Sequence, residues 1–151
     1  MNNIPFTKEG LTKLQCDHNE LTEKRKETVK SLSRAREMGD LSENGLYKAA
    51  KSELADIDRN LRRIKYFLTH SFAIKNISSS SVGLGSKILL ETKGETKTFE
   101  IVGDFEADPK QSKISQNSPL GKSLMDRKVN ETVTIISPNT KQTVYKILRI
   151  S

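Results

Sequence analysis

The 151-residue chain has no tryptophan, a single cysteine and only 5% aromatic residues. Hydrophobic residues make up 34%, below the usual share for a globular chain. That composition argues against one large core. Two modest cores, or one core plus an extended element, fit better. Cys16 has no second cysteine, so an internal disulfide and a cysteine-based zinc cluster are both ruled out. A lone thiol suits a reducing compartment. No stretch approaches the roughly 18 continuous apolar residues of a spanning helix. The opening "MNNIPFTKEG" lacks the apolar run of a signal peptide. The expectation is a cytoplasmic protein with no membrane partner.

Charge of one sign is not concentrated anywhere. The net charge is +7, which favours nucleic acid, a membrane surface or an acidic protein as partner. The excess is spread evenly over both halves, and no block reads as a basic tail. Tight independent nucleic-acid binding by counterion release would want a denser patch. Weak, salt-dependent DNA or RNA contacts along the arm are what this distribution allows.

Glycine and proline are also missing where they would interrupt helices. Neither occurs between Leu11 and Met38, or between Leu46 and Val82. In the first stretch Leu11, Leu14, His18, Leu21, Thr28, Leu32 and Ala35 recur at helical spacing, with Arg25 interrupting. In the second, Leu46, Ala50, Leu54, Ile57, Leu61, Ile64 and Leu68 do the same. Thr7 is a candidate N-cap for the first helix, and Gly39 suits its end because glycine tolerates positive φ. A long helix with one apolar stripe needs a partner. The short connection makes the other helix that partner, which predicts an antiparallel coiled-coil hairpin. His18 reads as a partly buried seam residue with no second histidine nearby.

After residue 74 the period changes. Serines and glycines fill residues 75–85, read as a linker or docking segment. Phe72, Ala73, Ile74 and Ile77 are apolar enough for an edge strand. "SKILLET", a Lys93–Gly94 turn and "TKTFEIVG" predict one β-hairpin; "TVTIISP", Asn139–Thr140 and "QTVYKILRI" predict another. Between them, "SPLGKSLM" offers Ser118 as cap and Pro119 at the first helical position. The fold class is α+β. Residues 1–74 form the coiled-coil arm with an acidic tip at 38–44. Residues 86–151 form a small, largely antiparallel sheet with one short helix. Asp104, Glu106 and Asp108 of "GDFEADP" read as solvated turn residues.

The tip, "AREMGDLSENGLY", leaves two readings open. Asp40 and Glu43 are spaced as a capping box for the second helix, with Ser42 and Asn44 as alternative local caps. They are also two carboxylates at the end of a stiff projection. Magnesium often uses one or two protein carboxylates and takes its other ligands from water or phosphate. Two carboxylates alone would hold it weakly, so a partner would have to complete the site.

Over nearly its whole length the sequence resembles the bacterial transcript cleavage factors of the Gre family, of the GreA kind. The resemblance rests on "IPFTKEGLTKL", the tip "AREMGDLSENGLYKAAK", and the C-terminal stretches "IVGDFEADPKQSKIS", "NSPLGKSLMDRKV" and "YKILRI". It implies a coiled-coil arm and an FKBP-like C-terminal domain. It implies a partner, bacterial RNA polymerase that has backtracked, with the nascent RNA 3′ end displaced into the secondary channel. It implies a catalytic role for Asp40 and Glu43, donated to the polymerase centre, where they share a magnesium ion (Mg2+) that this chain would not bind tightly alone. The activity would be the polymerase's own RNA hydrolysis, and the factor no independent enzyme. The resemblance assigns Leu41, Ser42, Asn44, Tyr47 and Arg36 to tip support or channel contact. It assigns Ser118, Pro119, Leu120 and Gly121 to polymerase docking. A monomer is expected.

Some positions depart from the family pattern. Leu46 stands where an acidic residue is usual, Gly45 where alanine is frequent, Met38 where a polar residue is common and Lys26 where proline is frequent. Asn130 and Glu131 replace a Gly-Asp pair. A proline-isomerase activity is disfavoured, since Phe99, Phe105 and Tyr145 are the only aromatic side chains from residue 86 onward. The competing classes are a related regulator that occupies the same channel without stimulating cleavage, and an adaptor that uses the coiled coil for other proteins.

Overall fold

The computed structural model describes residues 3–39, 44–75 and 78–151. The chain divides into two compact units. One is helical and contains Glu9–Ser71; the other contains Ile4–Lys8 and Phe72–Ser151.

The helical unit is built from α1 (Lys8–Glu37) and α2 (Gly45–His70). At 1.5 Å per residue, the 30 residues of α1 span about 45 Å. The helices run antiparallel. Lys24 pairs with Glu53 at 3.0 Å and Arg25 with Asp58 at 2.6 Å in mid-helix, while Ala35 near the end of α1 is bonded to Asn44 at the start of α2. The interruption at Arg25 is thus an exposed cross-helix ion pair. Every apolar position predicted for α1 is buried or half-buried.

In α2 the predicted stripe holds from Ala50 to Leu68 and is off by one residue at its start. Leu46 is 62% exposed, and Tyr47 turns inward in its place. Phe67 is buried, while Leu68 is only half-buried. From Tyr47 onward the inward residues alternate steps of three and four, whereas the stripe read from Leu46 took two steps of four in a row.

Gly39 follows α1 with φ +111°, a left-handed conformation that glycine adopts without Cβ strain. The capping-box reading of Asp40 and Glu43 for α2 is overturned. The N-cap is Asn44, whose side chain accepts from the Tyr47 amide, and the first helical residue is Gly45.

In the second unit, β3 (Lys87–Thr92), β4 (Glu95–Val102), β5 (Lys113–Ser115), β6 (Thr132–Ile136) and β7 (Gln142–Ile150) form a sheet of order β5-β4-β3-β7-β6. Both predicted hairpins are present, joined through the antiparallel β3–β7 pair. Lys93 and Gly94 have φ of 53° and 79°, the pair of positive values that a tight hairpin turn of matching twist requires. β5 adds to β4 in parallel, so the sheet is mixed. Strand alternation turns Ile88 and Leu90 inward, where they meet Ile101, Ile147, Ile150, Val133 and Val82. The helix α3 (Pro119–Leu124) contributes Leu124 to this core. Asn130 adopts φ +70°, a conformation asparagine tolerates better than most residues.

β1 (Ile4–Phe6) pairs with β2 (Ser71–Ala73) in a separate two-stranded sheet. Gly103 passes so close to Pro5 that an added Cβ would lie 2.6 Å from the Pro5 carbonyl oxygen.

The acidic loop is a correction too. Glu106 accepts from both the amide and the hydroxyl of Thr7. Asp108 caps a 3-10 turn at Pro109–Gln111 through the Lys110 amide. Asp104 accepts from Ser115 and Asn117. These three are structural acceptors, not merely solvated turn residues. Their partners lie far away in sequence or in a loop with no periodic signature.

Candidate functional site at the arm tip

Asp40, Leu41, Ser42 and Glu43 lie outside the described residues, so the tip is built here from its two flanks. On the α1 side, Ala35 is 2% exposed and its carbonyl accepts from the Met38 amide at 3.2 Å. On the α2 side, Asn44 is half-buried. Its Oδ1 accepts from the Tyr47 amide at 3.1 Å, and its Nδ2 donates to the Ala35 carbonyl at 2.8 Å. Helix termini leave backbone groups without internal partners. One amide side chain here satisfies an orphan donor of α2 and a carbonyl in the last turn of α1.

Arg36 and Tyr47 meet across the same end of the hairpin, the guanidinium 6.0 Å from the ring centroid. Such a pair at an exposed site is worth about 0.5–1 kcal/mol. Arg36 is exposed. Met38 and Leu46 are both strongly exposed. Leu46 is thus an apolar side chain on the surface, not in the seam.

Among the described residues no group of three or more histidine, cysteine, aspartate or glutamate side chains could hold a metal. Cys16 is free and exposed, and His18 is half-buried in α1.

The predicted docking residues form a tight turn in the sheet unit. The Ser118 hydroxyl donates to the Ser115 carbonyl at 2.7 Å and accepts from the Gly121 amide at 3.0 Å. Ser118 is therefore the N-cap of α3, and Pro119 occupies the first turn. Leu120 packs on the core. Gly121 is buried, and a Cβ there would lie 2.0 Å from the Ser115 carbonyl oxygen. Of the four, Pro119 is the one left exposed.

Asp104 braces this turn from the neighbouring loop. It accepts from the Ser115 hydroxyl, and from Asn117 Nδ2 at 2.9 Å. Those bonds, Ser115 first and Asn117 second, hold its carboxyl below the usual carboxylate range. Sequence reading missed Asp104 and the cross-helix reach of Asn44. The only hint for Asn44 was its residue type next to a helix start.

Family comparison agrees over both units. Residues 4–71 match the model described as "Transcription elongation factor, N-terminal". Residues 77–151 match "Transcription elongation factor, GreA/GreB, C-term". The chain is 41% identical to the transcription elongation factor GreA of Bacillus velezensis, covering 98% of this chain and 96% of that one. It is 38% identical to the GreA of Oenococcus oeni, covering 97% and 94%, and 39% identical to that of Bacillus subtilis, covering 98% and 96%.

Proposed function

The chain belongs to the GreA/GreB family of transcription elongation factors, and from that premise we propose that it stimulates RNA cleavage by backtracked bacterial RNA polymerase. The sheet unit docks on the polymerase through the turn carrying Pro119. The arm enters the secondary channel and brings Asp40 and Glu43 to the catalytic centre. The polymerase then hydrolyses the RNA phosphodiester, a short 3′ fragment leaves, and elongation resumes.

The observation that carries this reading is the N-cap of α2. Asn44 performs the capping task that would otherwise account for the acidic pair. Two carboxylates within four residues of an arm end then ask for a different role. Their oxygens are hard donors of the kind magnesium prefers, so Asp40 and Glu43 are the residues that would hold a magnesium ion shared with the polymerase. When bound, such an ion supplies an activated water and stabilises charge in phosphodiester hydrolysis. The chain's own contribution is placement of two oxygen donors by a rigid arm. The catalytic activity belongs to the polymerase.

The test uses an artificially backtracked bacterial elongation complex with labelled RNA and magnesium. Rapid release of 3′ fragments with the unaltered protein, and none with Asp40→Asn/Glu43→Gln, is the expected result. Equal cleavage by both proteins would remove the carboxylates from the mechanism. Channel binding without any stimulation would instead identify an inhibitory regulator. Absence of binding would point to an adaptor.

A further inference from the structure

Asn44 does more than cap a helix. Aspartate, serine and threonine also cap α2-type N-termini well, but each lacks something that the amide has. Aspartate accepts and cannot donate when ionised; the two hydroxyl side chains are shorter. Asparagine presents an acceptor and a donor at once, and both are used. Oδ1 holds the Tyr47 amide at 3.1 Å, and Nδ2 holds the Ala35 carbonyl at 2.8 Å. The reversed amide would set oxygen against the Ala35 carbonyl and N–H against the Tyr47 N–H, so only one orientation satisfies both neighbours.

The two partners stand on either side of residues 40–43. Ala35 is in the last turn of α1 and Tyr47 in the first turn of α2. Ala35 and Ala50 are both small, buried side chains toward this end of the hairpin. We propose that Asn44 is the positioning residue of the tip: its cross-helix bond to Ala35 sets the span between the helix ends, and so the placement of Asp40 and Glu43 in the polymerase centre. This rests on the function proposed above. Displacing a catalytic group by about 1 Å can cost on the order of 10²-fold in rate.

Two variants separate the cap from the cross-helix bond. Asn44→Ser and Asn44→Asp each keep a capping acceptor and lose the donor to Ala35. Serine does so without adding charge. The full-length variants are compared with the unaltered protein and with Asp40→Asn/Glu43→Gln, in cleavage assays titrated with factor. The expected result is at least a 10-fold lower maximal cleavage rate for both variants, with the half-saturating concentration unchanged.

A second readout needs no polymerase. Spin labels at exposed Ser33 and Lys51, in a Cys16→Ser background, report the separation of the helix ends. The distance distribution should broaden in both variants while helical circular dichroism is retained.

Unchanged maximal rates, or an unchanged label distribution, would overturn the proposal while leaving the functional reading intact. A rise confined to the half-saturating concentration would make Asn44 a polymerase contact and overturn it as well. No stimulation by the unaltered protein would remove the functional reading and this inference together.

Discussion

Thr7 and Glu106, 99 residues apart in sequence, are joined by two hydrogen bonds. The Thr7 amide donates to one carboxylate oxygen at 2.8 Å and its hydroxyl to the other at 2.6 Å. Thr7 is 4% exposed. Thr7 and Glu106 belong to the same compact unit, so the bonds fasten its first segment to its acidic loop. Replacing Glu106 with alanine removes both bonds from a buried partner, which costs about 1–3 kcal/mol. A thermal melt should show Glu106→Ala clearly less stable than the unaltered protein. Glu106→Gln should fall between them, since an amide retains one acceptor oxygen. No change in melting temperature for Glu106→Ala would show that this link carries no stability.

Gly121 has no room for a side chain. A Cβ 2.0 Å from a backbone oxygen forces the chain to move. Gly121→Ala should destabilise the sheet unit by about 1–3 kcal/mol, the usual range for overpacking. Denaturant unfolding followed by a sheet-sensitive signal measures it.

Gly45 is the opposite case. It lies in the first turn of α2, and nothing stands within 4 Å of an added Cβ. Gly45→Ala should stabilise the arm by about 0.4–1 kcal/mol, chiefly by restricting the unfolded chain. Helical melting should move up, and the maximal cleavage rate should stay unchanged if the tip geometry is set by Asn44.

Acid should weaken two carboxylate sites. Asp104 is held below its ordinary value by hydrogen bonds from Ser115 and Asn117. Asp58 is lowered by the hydrogen bond from Arg25 and by that guanidinium's charge, and Arg25 is raised in turn. A depressed carboxylate pKa contributes stability that is fully present above the unfolded value of 3.8 and lost as pH falls through the folded value. Melting temperature should therefore fall below about pH 4, and less steeply in Asp104→Asn than in the unaltered protein. The Arg25–Asp58 share is exposed, so it should be small and shrink further with added salt. Raising Arg25 has no consequence at neutral pH, where arginine is charged in either state.

Asp104→Ala should also loosen the turn at Ser115–Ser118 without touching the core. If Pro119 docks the polymerase, competition binding should weaken while the arm's helical melt stays in place. Unaltered binding with a loosened turn would separate docking from this loop.

The hairpin of long helices was legible in the sequence because α1 and α2 repeat an apolar period without glycine or proline to break it. The two β-hairpins were legible for a similar local reason, alternating strands around turns whose chemistry is set by a few residues. The acidic pair was visible as a pattern, Asp40 and Glu43 at a break between helices, and sequence alone left cap and metal ligand both open. What the sequence could not decide were relations between distant residues. The inward turn of Tyr47 and Phe67 depends on the phase at which two helices meet. The parallel addition of β5, the link from Thr7 to Glu106 and the brace from Asp104 to Asn117 join segments with no local signal in common. Asn44 belongs to both descriptions. Its residue type marks a helix start, but only packing brought the Ala35 carbonyl within reach of its second hydrogen bond. Local propensity and period act over a few residues and survive in the sequence as pattern; a cross-chain hydrogen bond exists only once the backbones that carry its two ends have been brought together.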